Sequence, residues 1–434
     1  MFNRRSFLGL SSLGAATVVL RGLPQLAAQE QNPRQAQGSA RALAPSITEL
    51  ASMREQATPI TNDERRTRIE RAQQLMAQNK MDAILMAGGT SLLYFTGVRW
   101  GNSERLFAVV IPARGKAFSV CPSFEEDRAR EQLNQGPLND AEVLTWHEDE
   151  SPYALVAAGL RSRGMASGTL GVEERTPFVF TEGVAHAAPS LKIMSAIPIT
   201  AGCRQIKTQH ELDLMTIANQ ATLKVYEAVW KALQPGMTQN DASALISAAY
   251  RRVGFNGFAS IQIGEYTALP HGSATPQVIK EGTIVMVDDG CSVEGYQSDI
   301  TRTFVLGQPT DKMKQVFDIV HRAQAAALAA AKLGVEAQSV DAAARKVISD
   351  AGYGPDYKYF AHRLGHGIGM DGHEWPYLVR GNTLKLQPNM CFSDEPGIYI
   401  RGEFGVRLED DMHITENGAQ LFTPQSPSLE HPFG

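Results

Sequence analysis

Hydrophobic positions along the chain follow two rhythms, one close to 3.6 residues and one of two, and the switches between them mark out its elements. From Asp63 the helical rhythm puts Ile69, Ala72, Leu75 and Met76 on one face, with arginines and glutamates on the other. Ala83-Ile84-Leu85-Met86 reads as a short buried strand closed by Gly88-Gly89. Stretches 92–97, 106–111 and 117–120 continue an alternation of strands and helices that favours an α/β layer. Thr208-Gln209-His210-Glu211 has the form of a capping box, in which the threonine hydroxyl and the glutamate satisfy donors that the first turn leaves free. Leu212, Met215, Asn219, Thr222, Val225, Tyr226 and Val229 follow at helical spacing, and Pro235-Gly236 ends the element. Further helices are predicted over Gln239–Val253, 312–333 and 340–351, the last bracketed by Ser339 and Gly352. Between them Thr283–Asp288 and 298–304 read as strands. Paired helices alternating with strands predict a curved sheet with helices packed outside it.

At 434 residues the chain is long for one core, so two domains are expected: an α/β domain over 60–200 and a second over 201–425, with a tail at 426–434. A composition of 43% hydrophobic and 20% charged residues is that of an ordinary globular protein, and a net charge of −5 without a long basic run gives nucleic acid little to hold. Cys121, Cys203, Cys291 and Cys391 form no CxxC pair and settle nothing about disulfides. The start of the chain differs from the rest. Asn3-Arg4-Arg5-Ser6-Phe7-Leu8 precedes an apolar, uncharged run over 8–20 and the small-residue stretch Leu26-Ala27-Ala28. This resembles a twin-arginine signal peptide over 1–28, and implies a bacterial protein passed folded through the Tat export machinery to the periplasm, with no stable membrane insertion afterwards. Residues 29–59, rich in Gln, Ala, Ser and Pro, read as a flexible tether.

The candidate chemistry lies within 285–409. Asp288 ends five β-prone residues, of which the last four are strongly apolar, and Asp299 opens the next strand beyond a turn at Gly290 to Gly295. Paired as a hairpin centred on that turn, the two carboxylates would fall opposite each other, which is unfavourable unless a cation lies between them. An acidic turn flank exposed to water accounts for Asp289 or Glu294, but poorly for Asp288. His362, His366 and His373 crowd into a dozen positions, with glycines at 365, 367 and 369 arguing for a strand or loop rather than a helix. A single such histidine is more often a core residue than a ligand. Glu395 precedes Pro396 and so is extended, while alternation puts Arg407 and Glu409 on one face, where an ordinary ion pair would also account for them. Asp410 and Asp411 read as charges facing solvent. Four carboxylates and an imidazole in one pocket call for cations, and the absence of thiolates disfavours a structural zinc site. Two ions roughly 3.5 Å apart would hold a bridging water, lower its pKa and polarise the carbonyl it attacks, which is the chemistry of hydrolysis.

Val287-Asp288-Asp289-Gly290, Ser298-Asp299-Ile300-Thr301-Arg302-Thr303, the run from His362 to His373, Glu395-Pro396-Gly397 and Arg407-Leu408-Glu409-Asp410 together resemble the pita-bread metallopeptidases of family M24, in their Xaa-Pro aminopeptidase and prolidase branch. The resemblance spans about residues 60–425. It implies a creatinase-like N-terminal α/β domain, then a pita-bread domain with a curved antiparallel sheet. It also implies two divalent ions, manganese above all, with cobalt or zinc as alternatives. Asp288 would hold one ion, His366 and Glu395 the other, and Asp299 and Glu409 would bridge both. His271, His362 and His373 would bind substrate and stabilise the tetrahedral intermediate, Glu395 would shuttle the proton, and Arg407 with Tyr399 would support Asp288. Asp289 departs from the small residue many relatives carry there. The activity implied is hydrolysis, through a metal-bridging hydroxide, of the bond between an N-terminal residue and a following proline, by a homo-oligomer, dimer or tetramer. A metal-dependent amidase acting on a small non-peptide substrate is the alternative on the same fold. Trp100, Trp375 and Tyr377 are candidate walls of the substrate pocket.

Overall fold

Every second residue of the first strand packs to a different side, and this alternation sets the architecture of the N-terminal half. The computed structural model describes residues 43–434. Ahead of that strand lie helices α1 (Pro45–Thr48) and α2 (Asn62–Gln78). In β1 (Ala83–Met86), Ile84 and Met86 face a core shared with α2, α3 (Thr90–Thr96), α4 (Glu126–Gln135) and α7 (Ile197–Arg204). Ala83 and Leu85 face a second core under α5 (Pro152–Ser162) and α6 (Phe178–Ala187). With β2 (Ala108–Pro112), β3 (Phe118–Pro122), β4 (Glu142–Trp146), β5 (Gly168–Val172) and β6 (Leu191–Ser195), it forms a mixed sheet in the order β4-β3-β2-β1-β5-β6. Strands covered on both faces are apolar throughout, as the sequence of β1 requires.

The second half opens with α8 (Gln209–Ala232) and its expected capping box, Thr208 and Glu211 each satisfying the other's backbone N–H. Leu233 turns extended, so the helix stops short of Pro235-Gly236. The next helix, α9 (Gln239–Val253), has the bounds expected of it, whereas α10 (Asp311–Ala330) ends before 333. Ser339 does not cap its helix: α11 (Ala337–Ile348) begins two residues earlier, and Gly352 lies just beyond it at φ 89°. These helices cover the strands β7 (Asn256–Gly257), β8 (Ser260–Ile263), β9 (Thr283–Asp288), β10 (Cys291–Val293), β11 (Tyr296–Gln297) and β12 (Arg302–Leu306), and further on β13 (Gly365–Gly367), β14 (Glu374–Leu378), β15 (Cys391–Asp394), β16 (Gly397–Ile400), β17 (Phe404–Arg407), β18 (Asp410–Thr415) and β19 (Gly418–Leu421). The ladders are antiparallel, among them β12-β9-β8 and β14-β13-β15-β18-β19; they carry Asp288 and His366, while Asp299, Glu395 and Glu409 lie in the links between strands.

The ends of the chain correct the expected linkers. Residues 43–59, read as tether, are packed on the second half: Ile47 is fully buried, Ser46 Oγ donates to Ala228 O at 2.8 Å, and Met53 N donates to Val253 O at 2.9 Å. A composition rich in small and polar residues hid two apolar anchors. Residues 426–434 are likewise no loose tail, since Leu429 is buried and accepts from Val305 N at 3.0 Å, while Phe433 packs on Trp230. The signal-peptide reading and the first part of the tether lie outside the described residues. Among the described residues no helix is long and apolar enough to cross a membrane, and all four cysteines are buried and free.

Candidate metal centre

The expected hairpin pairing of the two aspartates is off by two residues. Val287 pairs with Arg302 and Ser292 with Gln297, a register that sets Asp288 against Thr301 and leaves Asp299 diagonal to it. Residues two apart share a face, so both carboxylates still reach one pocket. The ordered strand begins at Arg302 rather than 298, because the chain leaves the ladder at Asp289, whose φ of 106° is strained for a residue with a side chain. Asp289 Oδ2 accepts from Ser260 N at 3.1 Å, and its carbonyl accepts from Tyr226 Oη at 2.9 Å and Ile300 N at 3.0 Å, which holds the kink.

His366 stands at the centre of β13, whose neighbour β15 runs so close that a Cβ at Gly365 would meet Ser393 O at 2.0 Å. Glycine is needed there for close approach of two backbones. The His366 Nδ1–H donates to Gly367 O at 3.1 Å, leaving Nε2 with a free lone pair, 3.5 Å from Glu395 Oε1 and 3.8 Å from Asp299 Oδ2. That is the tautomer a metal ligand requires. Burial, and then the neighbouring His373, pushes its pKa down to about 3, so the ring is neutral.

Donor atoms of Asp288, Asp299 and Glu409 lie within 4.8 Å of one another, and so do those of His366, Glu395 and Glu409. The two groups share Glu409. Burial, and then repulsion from neighbouring carboxylates, raises Asp299 and Glu409 well above ordinary carboxylates; burial raises Glu395 to about 8 against the pull of Arg407. Asp288 is the exception: burial would raise it, but Arg407 and the Thr301 hydroxyl bring it down. The donor set fits divalent cations on this observation, because these acids ionise together only if positive charge is placed among them. Thr301 makes the point at atomic scale. Its Oγ1 accepts from Arg407 Nε at 3.0 Å and lies 2.5 Å from Asp288 Oδ1 and 2.6 Å from Glu409 Oε2. With one hydroxyl proton to give, Thr301 can donate to only one of the two acids, which leaves the other oxygen pair in close contact.

Arg407 is the hub of the support. It pairs with Asp288, donates to Tyr399 Oη at 3.0 Å, and donates to Pro270 O at 3.1 Å, beside His271. His362 joins the same network: Nδ1 donates to Arg363 O at 2.8 Å and Nε2 accepts from Tyr399 Oη at 2.7 Å. Both its nitrogens are engaged, which leaves His271 and His373 as the imidazoles free to face a ligand. The candidate ligands Asp288, Asp299, His366, Glu395 and Glu409, with His271, His362, His373 and Arg407, line one cleft of about 490 Å³ together with Ser260, Asp289 and Arg363.

Several expectations change here. Asp410 and Asp411 are fully buried rather than solvent-facing. Asp410 pairs with Arg302 Nη2 at 2.6 Å and accepts from Thr423 Oγ1 at 2.8 Å, while Asp411 Oδ2 accepts from Asp299 N at 2.9 Å and so orients that candidate ligand. A run of three acids reads as surface in a sequence; only the distant Arg302, in the strand that follows Asp299, could have signalled otherwise. Trp100 is no pocket wall, for it stacks on Phe107 in the core of the first domain. Trp375 and Tyr377 do line a smaller cavity beside His373. Arg363, missed in the sequence because it sits between more conspicuous residues, lines the main cleft with its guanidinium over the Tyr377 ring.

Crowded, largely buried carboxylates around a neutral imidazole, on and between antiparallel strands, define a metal-dependent hydrolase. Residues 68–206 match the creatinase/prolidase N-terminal domain, and residues 213–416 match metallopeptidase family M24. An Xaa-Pro dipeptidase of Lactobacillus delbrueckii subsp. lactis is 33% identical over 83% of this chain and 98% of its own length. Dipeptidase PepE of Mycobacterium ulcerans superposes with a TM-score of 0.80 at 34% identity, over 86% of this chain and 99% of that one. A prolidase from Thermococcus sibiricus does so with a TM-score of 0.76 at 30% identity, over 85% and 98%. The chain belongs to metallopeptidase family M24 and is a metallo-exopeptidase, with a creatinase-like first domain and a pita-bread second domain.

Proposed function

We propose that this enzyme uses two divalent cations, manganese in the first instance, to hydrolyse the bond between an N-terminal residue and a following proline, with Xaa-Pro dipeptides as preferred substrates. The observation that carries the two-metal reading is the overlap of donor groups in one pocket, two of which meet at Glu409 while a third joins Asp299 and His366 with His373. The proline preference is supported by similarity to the Xaa-Pro dipeptidase and the prolidase.

Asp288, Asp299 and Glu409 would hold one cation, and His366, Glu395, Glu409 and Asp299 the other. Bound there, the cations supply Lewis acidity, which acidifies a water and polarises the scissile carbonyl. Glu395 would take the proton of the attacking water and deliver it to the proline nitrogen as the bond breaks. His373 and His271 donate hydrogen bonds to the developing oxyanion. Arg407 keeps Asp288 ionised and fixes Tyr399 and His362. Arg363 makes no ion pair among the described residues, and offers its guanidinium to a free C-terminal carboxylate, which favours dipeptides over longer peptides.

The deciding experiment is mass-spectrometric hydrolysis of Ala-Pro, Ala-Pro-Ala and Ala-Ala-Ala by the purified enzyme, with manganese and after chelation. Metal-dependent cleavage of Ala-Pro in preference to Ala-Pro-Ala is expected. No cleavage of any peptide with two metals bound would favour the small-molecule amidase. We further propose a periplasmic location reached by Tat export, on the strength of Arg4-Arg5 and the apolar run after them, and a homo-oligomeric state. Changing both arginines to lysine should retain the protein in the cytoplasm, and light scattering reads the oligomeric state.

A further inference from the structure

Asp371 and Glu374 flank Gly372-His373, and side chains from outside the catalytic strands hold both of them. The Asp371 carboxylate accepts from Thr90 Oγ1 at 2.6 Å, from Arg175 Nη1 at 3.0 Å and from Arg204 at the end of α7. Arg175 also reaches the His373 carbonyl, at 3.3 Å. Arg204 continues to Glu374, which accepts from Lys207 Nζ at 2.7 Å in the link between the domains. Arg204 is 6% exposed and Lys207 3%, so the centre of this lattice is buried, with Arg175 at its open edge. Burial alone would raise the Glu374 carboxyl, yet Lys207 and Arg204 hold it below the usual range. On its other side the loop is tied to the metal centre, where Gln297 N donates to Gly369 O at 2.7 Å, two residues before Asp299.

Packing is sparse on one side of this loop. It backs onto a cavity of about 200 Å³ lined by Glu174, Arg175, Ile197, Asp371, His373 and Trp375, and nothing lies within 4 Å of where a Gly372 side chain would start. A loop with open space beside Gly372 can swing there unless directional contacts stop it. Buried ion pairs are a poor way to add stability, but a good way to impose one geometry.

We propose that Arg204 is a positioning residue for the exopeptidase reaction. Through Asp371 and Glu374 it fixes the loop carrying His373, which makes the first domain a working part of the catalytic site rather than a wall around it. This rests on the proposed reaction, in which His373 serves the transition state.

The test compares Arg204→Met, Arg204→Lys, Arg175→Ala and His373→Ala, with the Arg204→Met/His373→Ala double variant, in the manganese-loaded full chain acting on Ala-Pro. Hydrogen–deuterium exchange of residues 369–374 is followed in parallel. Arg204→Met should lower kcat by about tenfold or more, with KM changed less than about threefold and metal content intact, and Arg204→Lys should restore part of the loss. In the His373→Ala background the same change should add less than about threefold, because the residue it positions is gone. Exchange over 369–374 should rise while β13 stays protected. Equal losses from Arg204→Met with and without His373, or unchanged exchange in a folded Arg204→Met protein, would overturn the proposal. Should Arg204→Met not fold, Arg175→Ala decides: it is 58% exposed at its side chain and should raise exchange in the same loop, and unchanged exchange would count against the idea. If the wild-type enzyme cleaves no proline peptide, the exchange measurement still judges the clamp, and only the reaction assigned to it falls.

Discussion

The imidazoles of His366 and His373 lie face to face, their ring centroids 3.7 Å apart and their planes inclined by 19°. Two charged rings would not hold that position; burial, together with neighbouring positive charge, keeps both pKa values below that of a free histidine. A neutral His373 retains one N–H to donate. His373→Ala should therefore lower kcat/KM by about 100- to 1000-fold while elemental analysis finds the metal content unchanged.

Metal removal and carboxylate removal should have opposite effects on stability. Chelation of the wild-type enzyme should lower its melting temperature, since the crowded carboxylates lose the charge between them. Asp299→Asn relieves one of those repulsions, so the metal-free variant should melt above the metal-free wild type, gain little from added manganese and show no turnover. A differential scanning fluorimetry series with and without chelator checks all three outcomes.

Arg302 is almost fully buried and is joined to Asp410 and the carbonyls of Glu409 and Pro424. Arg302→Met leaves Asp410 without its cation in an apolar core, and should destabilise the fold by about 3–5 kcal/mol in urea unfolding.

Arg363→Gln should raise KM for Ala-Pro by about tenfold and leave Ala-Pro-Ala little changed, so that the preference for dipeptides narrows. Steady-state kinetics on the two peptides reads the ratio directly.

Glu64 caps α2 and accepts from Thr61 and His210. Burial would raise its carboxyl, but the two bonds from Thr61 and the His210 contact take it down to about 2, against 4.5 unperturbed. A carboxyl with a depressed folded pKa adds stability that is full above the unfolded value and fades as pH falls toward the folded one. Between pH 4.5 and about 3, wild-type stability should therefore fall more steeply than that of Glu64→Gln. High salt should shrink the difference, because the site is partly exposed.

Several of the candidate donors stood out in the sequence because they break a local rule. Asp288 ends an apolar strand, His366 sits among glycines where a helix would not form, and Glu395 is fixed by the proline after it. The register was not legible, because it depends on a kink at Asp289 that hydrophobic alternation does not encode. Asp410 and Asp411 were misread because their partners, Arg302 and the Asp299 backbone, lie more than a hundred residues away. The same distance hid the Arg204 lattice: Arg175 and Asp371 look like ordinary surface charges until folding brings them together.

The segment bearing Ile47 and Met53 decides where the chain can be cut. Family similarity starts at residue 68, and a shortened protein starting there would strip both side chains from α8 and α9. The bared apolar furrow forfeits about 1.5–3 kcal/mol for each large side chain lost and invites aggregation. Any protease that trims this enzyme without harm must therefore act upstream of Pro45, and a purified fragment intended for crystals should keep every residue from there onward.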